Sequence, residues 1–484
     1  MATECKNKAF GSERKKSSLS SLIYQFGPSH KNQIFTQPKP PPYLPSNLKD
    51  RLIIITIIMA SQDNNNKNQQ QVLLCGGGNA IHVLTAYVGA LEGFDVSILS
   101  LFPGEADRLR TAIDKNKVCC QNDLGPDVLG APVCVSEDPS QVVPNADIII
   151  FALPSFTHTL YLQQLKPFLR EGVILGAMPG EGGFDLTARH VLGEAFCGKC
   201  DLFALETLPW ACRIVDYGKV VEVLGTKQEI DVVITPKLES SSSQKTTNGG
   251  VESVVQTLQT IIGKAPALHP AVNFLAVTLM NINSVWHPTI SYGYYRNHEA
   301  ELEQGFDEPP LFYQGADEYT GNLLDLVSDE VLELKRVLKE RYPSLDLSDV
   351  HHVRDWMLTS YGSDIGDTSS TYKMLLTNKG YRGLTHPMVE NKETGKFHPN
   401  FRYRYFSEDI PCGLMVTRGI AELAGVATPH MDQVIYWCQD KMQKEYLTKE
   451  GKVAGKDLGE TRAPQHYGFS DLDSFMKVNH YVPA

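Results

Sequence analysis

The stretch Gln71-Val-Leu-Leu-Cys-Gly-Gly-Gly-Asn-Ala-Ile-His82 constrains the fold more than any other part of this chain. An apolar run breaks into three glycines, Gly76, Gly77 and Gly78, and a helix-compatible Ala-Ile-His-Val-Leu-Thr-Ala-Tyr follows. A strand, a tight turn and a helix in that order begin a dinucleotide-binding domain. The physical demand is for backbone without side chains. Gly76 permits the turn, Gly78 lets the chain approach a pyrophosphate, and free N–H groups at the helix start, from Asn79 and Ala80, favour the anion. Glycine-rich turns also form for purely structural reasons, and Ile81 stands where glycine or alanine is usual, so the turn alone leaves both readings open.

The surrounding rhythm favours the dinucleotide. Residues 95–101 read as a second strand, 105–113 as a helix, and 146–154 as a continuous β-branched apolar run, the pattern of a strand buried on both faces of a parallel sheet. Residues 173–179 and 201–206 look like further strands. Ligands in such sheets lie beyond the strand C-termini, so Leu153-Pro154-Ser155, Pro179-Gly-Glu181-Gly and Glu206-Thr-Leu-Pro209 are the loops expected around cofactor and substrate. From about residue 254 the pattern turns helical, over 254–262, 271–286, 318–341, 350–361, 417–424 and 431–446, with no strand alternation. The expected architecture is α/β, a Rossmann-like dinucleotide-binding domain followed by an all-helical C-terminal domain. We divide the chain into a non-globular extension at 1–70, the NAD-binding domain at 71–270 and a helical substrate domain at 271–484.

Length and composition suit two or three soluble domains, with 484 residues and 42% hydrophobic content. The formal net charge of −11 and the lack of a basic, aromatic-interleaved stretch argue against nucleic-acid binding, so small molecules are the expected partners. Ten cysteines without a dense framework fit a reducing compartment. Cys197-Gly-Lys-Cys200 stands without a second ligand pair, so it reads as incidental thiols, and no metal is expected. The first 58 residues carry nine basic and three acidic residues and read either as a transit peptide or as an upstream extension before Met59, which we favour. The apolar run at 52–59 is far short of the roughly 17–25 residues that span a bilayer. The Ser- and Gly-rich stretch at 239–250 reads as a surface loop. No Gly-x-Ser-x-Gly elbow of a hydrolase appears.

Several blocks in order give the chain a closer likeness. Cys75-Gly-Gly-Gly-Asn79, Glu206-Thr-Leu-Pro-Trp-Ala-Cys-Arg213, Val221-Glu-Val-Leu-Gly-Thr-Lys227, Pro310-Leu-Phe-Tyr-Gln-Gly315, Thr377-Asn-Lys379, Glu408-Asp-Ile-Pro411 and Arg462-Ala-Pro-Gln465 resemble the opine dehydrogenases of marine invertebrates. The resemblance covers about 71–482. It implies an NADH-dependent reductive condensation of an amino acid with pyruvate, giving an opine and regenerating NAD during anaerobic glycolysis, in a cytoplasmic, monomeric enzyme. It also implies roles for named residues. His287 matches the catalytic histidine at the end of a helical run, and Asp409 the acid that orients it. Arg404 matches the arginine that grips the keto-acid carboxylate, whereas Arg402 reads as a surface neighbour. Glu206, Cys212 and Trp356 match positions near the amino substrate, and Glu181 stands where octopine dehydrogenases carry glutamine.

The cofactor is NAD on the same resemblance, because the residues alone leave it open. Ser100 ends the second strand, where an acid would hold the NAD ribose; the next acids are Glu105 and Asp107, and Arg108 and Arg110 are available to a 2′-phosphate. Two other readings keep the fold: a dehydrogenase of the ketopantoate or 3-hydroxyacid type, and a non-catalytic dinucleotide-binding sensor.

Overall fold

The computed structural model describes residues 69–113, 116–238 and 247–478. The expectations for residues 1–58 and for most of the 239–250 stretch lie outside them; the helix Thr247–Ile262 begins within the latter.

Twelve strands build the first half: β1 Gln70–Cys75, β2 Phe94–Leu99, β3 Val118–Gln121, β4 Val128–Gly130, β5 Cys134–Ser136, β6 Ile148–Phe151, β7 Ile174–Ala177, β8 Asp201–Leu205, β9 Trp210–Asp216, β10 Val220–Thr226, β11 Glu229–Thr235 and β12 Ala267–Pro270. Eight form one sheet in the order β12-β11-β8-β7-β6-β1-β2-β5, and six consecutive members from β8 to β5 run parallel. β6 and β8 are buried along their whole length, which explains their unbroken apolar sequences. The chain passes from β1 to β2 on one side and crosses back from β5 to β6 on the other, the reversal of order at which a parallel sheet leaves a crevice beyond its strand ends.

A second, four-stranded sheet, β4-β3-β10-β9, was not expected from the sequence. It covers the helix Asn79–Val88, which packs against β3, β4, β9 and β10 as well as β1 and β2. That double cover is why eight of its ten residues are buried. A period-two signal was present: Trp210, Cys212, Val221 and Val223 are buried, while Ala211, Arg213, Glu222 and Leu224 are exposed, on either side of the Tyr217-Gly218 turn.

The second half packs around the helix Glu318–Arg341. Its apolar residues Leu323, Leu324, Val327, Val331, Leu334 and Leu338 recur at helical spacing and are buried. Asp317 caps its start by accepting from the Thr320 N–H at 2.9 Å. Helices Ile282–Tyr295, Thr371–Thr377 and Pro429–Met442 pack on it. Two expectations need correction. Helices dominate this half as expected, but it is not free of strands, since β13 Met388–Asn391 and β14 Lys396–Pro399 form a hairpin. Its residues are nearly all exposed or half-buried, so no alternation marks it. The helix at 271–286 is two, Phe274–Leu279 and Ile282–Tyr295, and His287 does not end it. Pro288 forfeits one backbone bond, but burial of Trp286, Ile290 and Tyr295 carries the helix through it.

Leu334→Ala should therefore destabilise the protein by about 2–5 kcal/mol, whereas Leu326→Ala on the exposed face of the same helix should cost under about 1 kcal/mol. Urea unfolding of the two variants checks this.

Candidate active site

The glycine turn lies where the crevice opens. Gly76 adopts φ +119°, a conformation that L side chains rarely take, and a Cβ there would sit 3.3 Å from both the Ala152 carbonyl oxygen and Leu153 Cβ. Gly78 precedes the helix with no capping side chain, and a Cβ on it would meet open space. The helix start is thus bare and approachable, as a bound pyrophosphate requires, so these residues fit a dinucleotide. Asn79 serves the fold with its side chain, whose Oδ1 accepts from the Ile214 N–H at 3.0 Å. Only its backbone, like that of Ala80 and Gly77, is left for a ligand. Leu153 and exposed Pro154 follow β6 on the other side of the crevice.

His287 and Asp409, far apart in sequence, meet in the second half. Nδ1 of His287 lies 2.6 Å from Asp409 Oδ2, and Nε2 lies 3.5 Å from the Tyr313 hydroxyl. The imidazole stacks on Tyr405 at 3.6 Å between ring centres. Burial and the Arg404 guanidinium lower the His287 pKa; burial and Glu408 raise that of Asp409. The ring is therefore held neutral, with Nδ1 committed to the carboxylate and Nε2 left to exchange a proton. Asp409 is positioned by a wide turn: the Arg404 carbonyl accepts from the N–H groups of both Glu408 and Asp409, and a π-helical turn, Ile410–Leu414, follows.

Arg404 is half-exposed and not alone. Its Nη2 lies 2.8 Å from Glu408 Oε2 and 3.8 Å from Glu181 Oε1. Although burial opposes its charge, Glu408, Glu181 and Asp409 together raise its pKa. Glu408 is itself buried and accepts from the Ser155 N–H at 2.7 Å, which ties this cluster to the loop after β6. Glu181 is a buried residue at φ 54°, unusual for a side chain that is not glycine. Its Oε2 accepts from Asn281 Nδ2 at 2.8 Å. Burial, with Glu408 and Asp409 close by, pushes its pKa up to about 8.

Glu206 and Trp356 are brought together, the indole N–H donating to Glu206 Oε1 at 3.4 Å. Trp356 packs on Trp286, Trp286 on Tyr313, and Tyr313 reaches His287, so an aromatic wall joins Glu206 to the dyad. Cys212 is 2% exposed and packs in the α/β core beside Cys120 and Trp210; its side chain lines that core. Arg402 is exposed, as expected. Sequence reasoning passed over Glu408, Tyr405, Tyr313 and Arg462 although all lie in or beside the quoted blocks. Arg462 is 3% exposed and donates to the carbonyls of Gly180, Gly182 and Ser155. Neither spacing nor charge distinguishes a buried arginine from a surface one.

Glu181 makes stability depend on pH in a definite direction. Below about pH 4.5 both folded and unfolded chains hold its proton; between there and about pH 8 only the folded chain does. Stability from this group is thus lost as pH rises through that window, by at most about 1.4 kcal/mol per pH unit. Glu181→Gln removes the effect, so the melting temperature of the variant should gain on the parent from pH 5 to 8 and then stay level. A constant gap across that range would remove Glu181 as the titrating group.

The comparisons agree with this geometry. A family model described as "NAD/NADP octopine/nopaline dehydrogenase, alpha-helical domain" matches residues 270–442. An opine dehydrogenase of Haliotis discus hannai is 37% identical over 408 residues, covering 83% of this chain and 97% of that protein. A tauropine dehydrogenase of Arabella iricolor is also 37% identical, covering 82% and 98%. The solved octopine dehydrogenase with NADH and L-arginine superposes with a TM-score of 0.76 at 35% identity, covering 84% of this chain and 97% of its own. With that identity across nearly the whole of these relatives, the chain belongs to the opine dehydrogenases, NAD-dependent oxidoreductases acting on the CH–NH group of their donors.

Proposed function

We propose that this opine dehydrogenase condenses pyruvate with an amino acid at the His287–Asp409 pair, in the cytoplasm and as a monomer, regenerating NAD when glycolysis runs without oxygen. The observation that carries the reading is the pair itself: a buried imidazole held by a carboxylate at 2.6 Å, linked through Glu408 and Ser155 to the end of β6. Bound NADH supplies the hydride that reduces the imine. The chain's own groups do the rest. His287 Nε2 takes up a proton as the amine adds to the keto carbon and returns one as water leaves, and Asp409 stabilises the charged ring in between. Arg404 grips the pyruvate carboxylate with the guanidinium edge that Glu408 leaves free. The solved octopine dehydrogenases with pyruvate and with L-arginine support the two substrates by relation.

The amino partner is chosen between Glu206, with Trp356 beside it, and Glu181, with Cys212 shaping the core behind the strand that follows Glu206. Held protonated near neutrality, Glu181 offers one donor and one acceptor, as the glutamine of octopine dehydrogenases does. Glu206 then remains as the carboxyl group for an ammonium or guanidinium, and it disfavours a sulfonate. Arginine and small neutral amino acids such as alanine or glycine rank above taurine.

NADH oxidation should require pyruvate and an amino acid together; oxidation with pyruvate alone would point instead to a hydroxyacid-type dehydrogenase. His287→Ala should lower turnover by roughly 10²–10⁴-fold with little change in NADH affinity, and near-parental activity would sink the proton-transfer role. Arg404→Lys, which keeps charge but loses the fork, should raise the Michaelis constant for pyruvate. Glu181→Gln should keep its activity near pH 7 and, unlike the parent, hold its kcat/KM for the amino acid above pH 8. A strong preference for taurine in the parent, untouched by Glu206→Gln, would show that the charge argument is misapplied.

A further inference from the structure

The second strand ends without the acid that ordinarily holds the ribose of a dinucleotide, and Ser100 stands there instead. The structure supplies a carboxylate from another direction. Glu105, the first residue of the helix Glu105–Ile113, turns back over the glycine turn. A Cβ built on Gly77 would lie 2.3 Å from the Glu105 carboxyl carbon and 2.4 and 2.8 Å from its two oxygens, so the carboxylate rests directly against Gly77. Ser100, fully buried, donates its hydroxyl to Glu105 Oε2 at 2.6 Å and fixes it there. The serine and the glutamate together place one negative charge beside Gly77, between the first two glycines of the fingerprint, where a strand-end acid would place it.

Both arginines that follow are engaged within the fold. Arg108 lies over the Tyr217 ring at 4.0 Å and points Nη2 at Glu105 Oε1 at 3.5 Å. Arg110 pairs with Asp107 and donates to the Val135 carbonyl at 2.8 Å, toward β5.

We infer that Glu105, positioned by Ser100 over Gly77, receives the 2′- and 3′-hydroxyls of the adenosine ribose and makes the enzyme select NADH over NADPH. Two hydroxyls donate to one ionised carboxylate, which is the stronger kind of hydrogen bond. A 2′-phosphate brought to the same place meets a like charge, and Arg108, the described cation beside it, is already paired with Glu105 and laid over Tyr217. The inference rests on the assignment of the Gly76–Gly78 turn to the dinucleotide, and its test separates the two.

Direct titration of the full chain with NADH and NADPH, read by nicotinamide fluorescence without pyruvate or amino acid, needs no turnover. The parent should bind NADH roughly ten- to a hundredfold more tightly than NADPH or 2′-deoxy-NADH, the worth of hydrogen bonds to a charged group. Glu105→Gln should weaken NADH and strengthen NADPH, closing most of that gap. Ser100→Ala, which frees the carboxylate, should weaken NADH by a smaller factor. Equal affinity of the parent for NADH and 2′-deoxy-NADH, which requires no variant, overturns the inference, as does an unchanged NADH-to-NADPH ratio in Glu105→Gln. Failure of the parent to bind either nucleotide overturns the assignment of the turn as well.

Discussion

One buried guanidinium holds the two halves of this enzyme in register. Arg462, near the end of the chain, donates to the carbonyls of Ser155, Gly180 and Gly182 and lies 2.8 Å from His158 Nδ1. All four acceptors are neutral and all belong to the α/β half. Removing that side chain would leave the buried carbonyls of Gly180 and Gly182 without a donor, each costing about 1–3 kcal/mol, while that of Ser155 would keep only the His158 N–H. The loops it clamps are the ones that matter. Ser155 begins the turn beyond β6, and Gly180 and Gly182 flank Glu181. His158 is driven to its neutral form by burial and by the charge of Arg462 itself, and so remains an acceptor.

With those loops clamped, the site becomes an exercise in placing more acid than the local cations can neutralise. Glu181, Glu408 and Asp409 are all buried around the half-exposed Arg404. Burial above all, and then the mutual repulsion of carboxylates so close, favours retention of protons at Glu181 and at the His287–Asp409 pair. In the proposed reaction the His287–Asp409 pair exchanges a proton with the adding amine and the departing water, and Glu181 keeps its own. A reaction that adds an amine and expels water needs groups that hold a proton near neutrality without being simply acidic or basic. The Ser155–Glu408 bond and the Asn281–Glu181 bond fix that arrangement across the boundary between the halves. Any wide opening of the crevice has to break them along with the Arg462 contacts.

Much of this was legible in the sequence, unevenly and for physical reasons. Strands β1, β2, β6, β7 and β8 announced themselves because burial on both faces demands unbroken apolar runs such as Ile148–Phe151, whereas β5, β11 and β12 of the same sheet went unread. The helix Glu318–Arg341 fell where its periodicity put it, because a long amphipathic stripe has one way to bury itself. The second sheet was missed because β3 and β4 are short and the period-two alternation of β9 and β10 went unread. The hairpin β13–β14 was missed because neither face of it is buried. The continuation of the helix past His287 was hidden by Pro288, whose local cost is outweighed by packing that no local rule sees.

The sequence by itself determined the class of fold, the bare glycine turn, and, through its likeness to a family, His287, Asp409 and Arg404. These follow from local backbone demands or from residue types in a characteristic order. It did not determine which polar side chains lose their water. Burial depends on what the rest of the chain lays over a residue, and burial is what separates Glu408 from the exposed acids and Arg462 from the exposed arginine Arg402. Glu105 illustrates the same limit. As a letter it is a common helix-starting acid, and only the fold, by setting Ser100 beneath it and Gly77 against it, gives it a definite position over the turn. Tertiary structure decided these points because electrostatic energies depend on distance and dielectric, and neither is written in the order of the residues.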